Sequence, residues 1–243
     1  SSDSVYHKPV IMINYVSFAG LQNHLAYDSF DCGRAGTGYV NLYNGDVVIA
    51  RPLTQCGGNR MPVSITAYYG AQLSGVTARV GSHWRLSCDQ CMNKSYINDE
   101  LYFIWSKGDG SQHYFRKPNS SAAYYEDLSG LSLKLTDNGT YTEIEDKGGT
   151  VMRFESPQDA LDDTGRLLSI TDSCGNTNTF QYGDWRLESI TDGAGRVTQF
   201  TYSGNMLTGI LAPGESAPVT LEYYNNRQLN GIVDADGERT DIS

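Results

Sequence analysis

The chain has 243 residues, 28 of them acidic and 18 basic, for a formal charge of −10. No Lys/Arg cluster interrupts that balance, which argues against nucleic acid or any other polyanion as partner, because holding a phosphate backbone takes concentrated positive charge. No stretch approaches the roughly 18 apolar residues of a membrane span, and the length allows one large β domain or two smaller ones.

In chain order, the first apolar run is Pro9 to Phe18 (PVIMINYVSF). Asn14 interrupts it and no basic flank precedes it, so it reads as a buried strand and not as a signal peptide. A start at Ser1 without Met points to a processed or excised piece. The five cysteines, Cys32, Cys56, Cys88, Cys91 and Cys174, are odd in number, which excludes a fully paired disulfide framework within the chain. Cys88 and Cys91 have the spacing of half a zinc site. The only candidates for two further ligands are the scattered Cys32, Cys56, His83 and His113. Packing thiols are the favoured reading, a Cys88–Cys91 or Cys32–Cys56 disulfide the next, and neither metal nor cofactor is expected.

Strand-forming aromatics (17 Tyr, 7 Phe, 3 Trp) and 26 glycines leave no window for an amphipathic helix beyond a turn around Gln158 to Asp163. Turn dipeptides recur at Asn44-Gly45, Asp109-Gly110, Asn138-Gly139, Asp192-Gly193 and Asp236-Gly237, each suited to a type I′ hairpin. Between them residues alternate. Val63, Ile65 and Ala67 oppose Ser64 and Thr66, and Val219, Leu221 and Tyr223 oppose Thr220 and Glu222, the pattern of an antiparallel meander with one packed face.

Sliding the chain against itself aligns four segments: Arg166 to Asp184, Arg186 to Asn205, Met206 to Asn226 and Gln228 to Ser243. Leu167, Leu187, Leu207 and Leu229 take the first apolar position, and Ile170, Ile190, Ile210 and Ile232 the second. Asp172, Asp192 and Asp234 follow, with Ala212 in the third segment, and Gly175, Gly195 and Gly237 close the turn. Tyr182, Tyr202 and Tyr224 end the second strand, two positions after Phe180, Phe200 and Glu222. Each segment predicts one hairpin that buries its apolar face only against its neighbours. Leu and Ile stand three apart, against strict alternation, so a bulge is expected between them. The segment Gln228 to Ser243 is expected to present an exposed edge.

The segments GRLLSITDSCGNTNTFQY and RLESITDGAGRVTQFTY resemble the YD repeat of Rhs and teneurin-type proteins, whose pattern is close to G-R-L-x-x-I-x-D-x-x-G-x-x-x-x-x-x-Y. VNLYNGDV, NRMPVSITAYY, GSHWRL and GDGSQHYF resemble the region before the repeats in bacterial Rhs-like and wall-associated proteins. The likeness spans roughly Tyr39 to Ser243. It implies an N-terminal Rhs-associated β region over 1–160 followed by about four YD repeats over 161–243. The fold it implies is an all-β hairpin meander forming an open, curled sheet, one segment of a shell. Its partners would be the remaining repeats of the parent chain and an enclosed C-terminal effector, in a large secreted or cell-surface bacterial protein.

No GxSxG, HExxH or phosphate-binding GxxxxGK[ST] occurs, and His7, His24, His83 and His113 have no triad-like context. Asp159, Asp162 and Asp163 read as a solvated loop. Trp105, Trp185, Tyr68 and Tyr69 are the candidates for stacking on a sugar. The sequence therefore predicts a non-catalytic structural scaffold. A surface adhesion module that binds cell-surface glycans is the alternative, and a glycoside-acting enzyme comes third.

Overall fold

A computed structural model describes residues 19–73, 80–158, 164–183 and 186–242. The expected strand over Pro9–Phe18, the turn and acidic loop after Gln158, and Trp185 lie outside those residues. The fold is all-β, and its described helical content is one 3₁₀ turn, Gly33–Ala35. No helix among the described residues is long and apolar enough to cross a membrane.

Five antiparallel strands form the first sheet: β1 (Tyr27–Asp31), β2 (Thr37–Asn41), β3 (Val47–Thr54), β4 (Ile65–Gly70) and β5 (Trp84–Leu86). The chain then enters a second sheet. Its first strands are β6 (Cys91–Ile97), β7 (Glu100–Ser106), β8 (Gln112–Arg116), β9 (Tyr125–Asp127), β10 (Lys134–Asp137), β11 (Tyr141–Glu145), β12 (Val151–Glu155) and β13 (Gly165–Thr171). Each pairs with the next, and β13 returns to pair with β6, so these eight strands close into a barrel. Its interior is filled by the inward residue of each alternation: Met92, Phe103, Phe115, Leu135, Ile144, Phe154 and Leu167, all nearly inaccessible to solvent.

The open, curled sheet expected from the repeats is therefore not what forms. The reason lies in β13, which is shared by three neighbours. Along one edge it pairs with β12, from Val151↔Thr171 to Phe154↔Leu167. The other edge is divided: Gly165 and Arg166 pair with Met92 and Cys91 of β6, and Ser169 to Thr171 pair with β14 (Thr177–Gly183). Gly165 makes the junction sterically feasible, since a Cβ there would stand 2.0 Å from the Glu155 carbonyl oxygen. Closure brings β13, the first strand of the first repeat, against β6 of the non-repetitive region, so counting repeats does not reveal it. The expected boundary between residues 160 and 161 falls between β12 and β13, two staves of one barrel.

From β14 the sheet continues through β15 (Arg186–Thr191), β16 (Val197–Ser203), β17 (Met206–Leu211), β18 (Val219–Tyr223), β19 (Leu229–Val233) and β20 (Arg239–Asp241). This extension packs against the first sheet. Leu53, Ile65, Ala67, Trp84 and Leu86 from one layer and Phe180, Ile190, Phe200, Ile210, Leu221 and Ile232 from the other belong to a single apolar cluster that continues into the barrel.

The turns differ from the expected type I′ form. At Asn44, Asp109, Asn138 and Asp236 the residue before glycine keeps negative φ, and at Asp192-Gly193 neither residue is left-handed. Most of these hairpins use a three-residue loop instead, a turn followed by one left-handed residue. Asp172 N–H donates to Asn176 O, Gly175 N–H donates to Asp172 O, and Gly175 takes φ 84°. The two-residue turn with both φ positive occurs at Asn98-Asp99 (51° and 64°), between β6 and β7.

Candidate functional site

The hairpins of the extension are built alike. In each, the ladder shifts by one residue at the same place, and one residue of the first strand is left over: Leu168, Glu188, Thr208 and Asn230. This is the bulge that Leu and Ile three apart require, and it turns both side chains toward the core. Ile190, Ile210 and Ile232 are buried. Ile170, which sits between Met152 and Asn178 where the extension leaves the barrel, is half-buried.

The turn aspartates organise the loops. Asp172 Oδ1 accepts the N–H groups of Cys174 and Asn176, each at 2.9 Å, and Asp192 Oδ1 accepts those of Ala194 and Arg196, also at 2.9 Å. The Asn176 side chain and these amides hold the Asp172 carboxyl below the usual carboxylate range. At Asp192 burial acts in the opposite direction, but the backbone and guanidinium of Arg196 outweigh it and the carboxyl is again lowered. Asp234 departs from this pattern. Its Oδ1 meets Arg51 Nη2 of β3 at 2.9 Å, and its Oδ2 lies 3.5 Å from Arg34 Nη1, so this turn is tied to the other layer.

The tyrosine register differs from the sequence alignment in the third hairpin. Tyr182 pairs with Leu187, Tyr202 with Leu207 and Tyr223 with Leu229, so the equivalent ring is Tyr223, whereas Tyr224 is 48% exposed. Leu221 accordingly matches Phe180 and Phe200. Burial pushes the Tyr182 and Tyr223 hydroxyls well above the usual phenol range. Arg166 and Arg186 stack over Tyr182 and Tyr202, with guanidinium carbons 4.9 and 5.5 Å from the ring centres.

Sequence comparison missed one hairpin with the same turn but without the bulge, β11–β12. Asp146 Oδ1 accepts the N–H groups of Gly148 (2.7 Å) and Thr150 (2.9 Å), and Gly149 is left-handed at φ 81°. Backbone donation from Thr150 lowers this carboxyl as well. The signal was present in Ile144, Asp146, Gly149 and Phe154, which repeat the spacing of Ile170, Asp172, Gly175 and Phe180. With Tyr141 in place of the first leucine, this hairpin falls outside the leucine-led alignment.

The three described candidate stacking residues, Trp105, Tyr68 and Tyr69, do not share a platform. Trp105 is buried in the barrel, its indole N–H donating to Gln90 Oε1 at 3.1 Å. Tyr68 and Tyr69 are consecutive in β4 and point to opposite faces. Tyr69 joins a different ring cluster, 5.2 Å from Trp84 and 6.4 Å from His83. All five cysteines carry free thiols. Cys88 and Cys91 line one cleft with Arg166 and Tyr182, and burial raises both thiols, Cys91 to about 11. Among the described residues no group of three or more His, Cys, Asp and Glu side chains is placed to hold a metal. His113 points into the barrel beside Trp105, its Nδ1 3.2 Å from Ser129 Oγ and 3.9 Å from Asp127 Oδ1. Its Nε2 is buried without a partner.

The arrangement presents an edge where a catalytic constellation would otherwise be sought. β20 pairs with β19 through Gly231↔Asp241, Ile232↔Thr240 and Val233↔Arg239, and among the described residues no strand pairs with its outer side. Compared with known proteins, the chain matches no family model and no curated protein.

Proposed function

We propose that this chain is a non-catalytic β scaffold of YD-repeat type, the capped beginning of a hairpin wall belonging to a large secreted or cell-surface bacterial protein. Its work is steric and mechanical: hydrogen-bonded hairpins add edge to edge and separate one side of the wall from the other. One observation carries this reading. The hairpin with its bulge, its left-handed turn residue and its inward Leu/Ile pair is repeated in register, and the last copy, β19–β20, leaves its outer edge without a partner strand among the described residues. Such a series gains stability from each neighbour added.

The test is to append two further units patterned on Arg186–Asn205 after residue 243 and follow amide exchange. The reading expects the Arg239–Asp241 amides to become strongly protected and the midpoint of thermal unfolding to rise. Appended units that exchange freely, with β20 unprotected, overturn it.

A further inference from the structure

Two of the hairpins share a hydrogen bond outside the backbone ladder. Tyr202 Oη donates to the Leu187 carbonyl at 2.8 Å, and Tyr223 Oη to the Leu207 carbonyl at 2.6 Å. In both cases the acceptor is the leucine that opens the tyrosine's own hairpin. The first hairpin breaks the series. Tyr182 holds the same ladder position, opposite Leu187, yet its hydroxyl makes no hydrogen bond among the described residues. The seam accounts for the difference: Gly165 and Arg166 of β13 pair with Met92 and Cys91, so β6 takes the edge of β13 that Tyr182 would otherwise close over. Burial raises the pKa of this phenol and keeps it a protonated donor, with no acceptor on the protein.

Tyr182 lines a cleft of about 100 Å³ where the first sheet, β13 and the extension meet. The apolar part of the lining includes Leu86, Leu187, Phe200 and Leu207. Two guanidinium groups line it as well, and they are not equivalent. Arg166 is held by Glu155, Nε 2.7 Å from Oε2 and Nη2 2.5 Å from Oε1. Arg186 has no carboxylate partner among the described residues. Its Nη1 donates to the Gly204 carbonyl at 2.6 Å and its guanidinium lies over the Tyr202 ring, but its Nε and Nη2 make no hydrogen bond there. Asp89 shares the lining, so the local charge suits a singly charged head better than a dianion. An apolar cavity of roughly 150 Å³ holds benzene, so this smaller cleft takes a tail of about four carbons.

We propose that this cleft binds a small monocarboxylic acid with a short, branched apolar tail. The carboxylate accepts from Arg186 Nε and Nη2 and from Tyr182 Oη, and the tail packs against Leu187, Phe200 and Leu207. A guanidinium fork offers two N–H groups to the two oxygens of a carboxylate, and the apolar side chains supply the contact that an inorganic anion cannot use. The site is separate from the scaffold reading, and neither depends on the other.

The test titrates isovalerate and its neutral isostere isovaleramide into the unmodified chain, followed by NMR at the Arg186 Nε–H and at the Trp105 indole N–H, which reaches the cleft through Gln90. Expected are saturable shifts with isovalerate, at least tenfold weaker binding of the amide, and none of sulfate. Arg186→Gln, its melting checked in parallel, should abolish binding. Tyr182→Phe should weaken binding roughly five- to tenfold yet melt no lower than the parent, because the deleted hydroxyl has no partner on the protein. A tyrosine with only a structural role gives the opposite pair of results, a lower melting temperature and unchanged binding. That outcome, equal affinity for acid and amide, or isovalerate binding that survives in folded Arg186→Gln overturns the proposal. N-acetyl-leucine carries the same head and tail at a peptide end. Binding tighter than that of isovalerate assigns the carboxylate to a chain terminus, and weaker binding assigns it to a free acid, each upholding the site.

Discussion

Arg51 Nη2 and Asp234 Oδ1 stand 2.9 Å apart and join the two layers, with Arg51 2% exposed and its Nη1 without a partner. A guanidinium buried to this degree is tolerated only while its counter-charge is present. Asp234→Ala is therefore expected to lower the unfolding free energy by about 2–3 kcal/mol. That is less than the ~3–5 of a fully enclosed pair because Asp234 is partly solvated and Arg34 shares it. Arg51→Met, which removes the buried charge itself, should lose clearly less. Urea denaturation of both variants measures the difference.

The tyrosine register has its own test. Tyr202→Phe and Tyr223→Phe each delete one hydroxyl donated to a leucine carbonyl and should cost about 1 kcal/mol, whereas Tyr224→Phe should be neutral. If Tyr224→Phe is the costly change, the third hairpin has been placed one residue out of register.

How much of this was legible in the sequence follows from which constraints are local. Leu, Ile, Asp and Gly recur at fixed spacing because a bulged strand and a three-residue turn are decided within twenty residues, so four hairpins and their bulges are readable. Tyr223 was passed over for Tyr224 because the third segment is one residue longer between its Ile and its tyrosine, and only the pairing Tyr223↔Leu229 places that extra residue in the turn. Barrel closure was invisible for a different reason. It depends on Gly165 and Arg166 meeting Met92 and Cys91, more than seventy positions away and outside any repeat. The outward edge of β20 was expected from the same repeats, because a hairpin series leaves its outermost strand on the rim.

His113 gives a pH dependence with a definite sign. Burial, aided by Lys107 and opposed by Asp127 and Asp109, lowers its pKa below the ordinary imidazole value. The unfolded chain then binds a proton that the folded one refuses. Stability is complete above about pH 6.5 and declines as pH falls below it, by at most about 1.4 kcal/mol per pH unit. Denaturation at pH 7.5 and 5.5 should show this loss, and His113→Phe should flatten it. A slope that persists in that variant assigns the effect elsewhere.

Thiol reactivity should separate the cysteines. Cys174 is exposed in its turn, whereas Cys88 and Cys91 are buried and their thiols raised. With Ellman's reagent at pH 8, Cys174 should react within the first phase and the Cys88/Cys91 pair only on unfolding. Equal rates in a Cys174→Ser variant and the parent would contradict this.

Gly165→Ala probes the seam. A methyl group 2.0 Å from the Glu155 carbonyl oxygen forces β12 and β13 apart, with an expected loss of about 3 kcal/mol or more and early exchange at Met92 and Leu167. A variant as stable as the parent would mean that the three-way pairing at β13 is looser than described.

That three-way pairing gives the larger sheet a polarity. At one extremity the strands have rolled up on themselves, β13 returning to β6 at Met92 and Cys91. At the other, β20 remains receptive. An assembly that extends this sheet at β20 therefore grows away from the cylinder, and its length is counted outward from there.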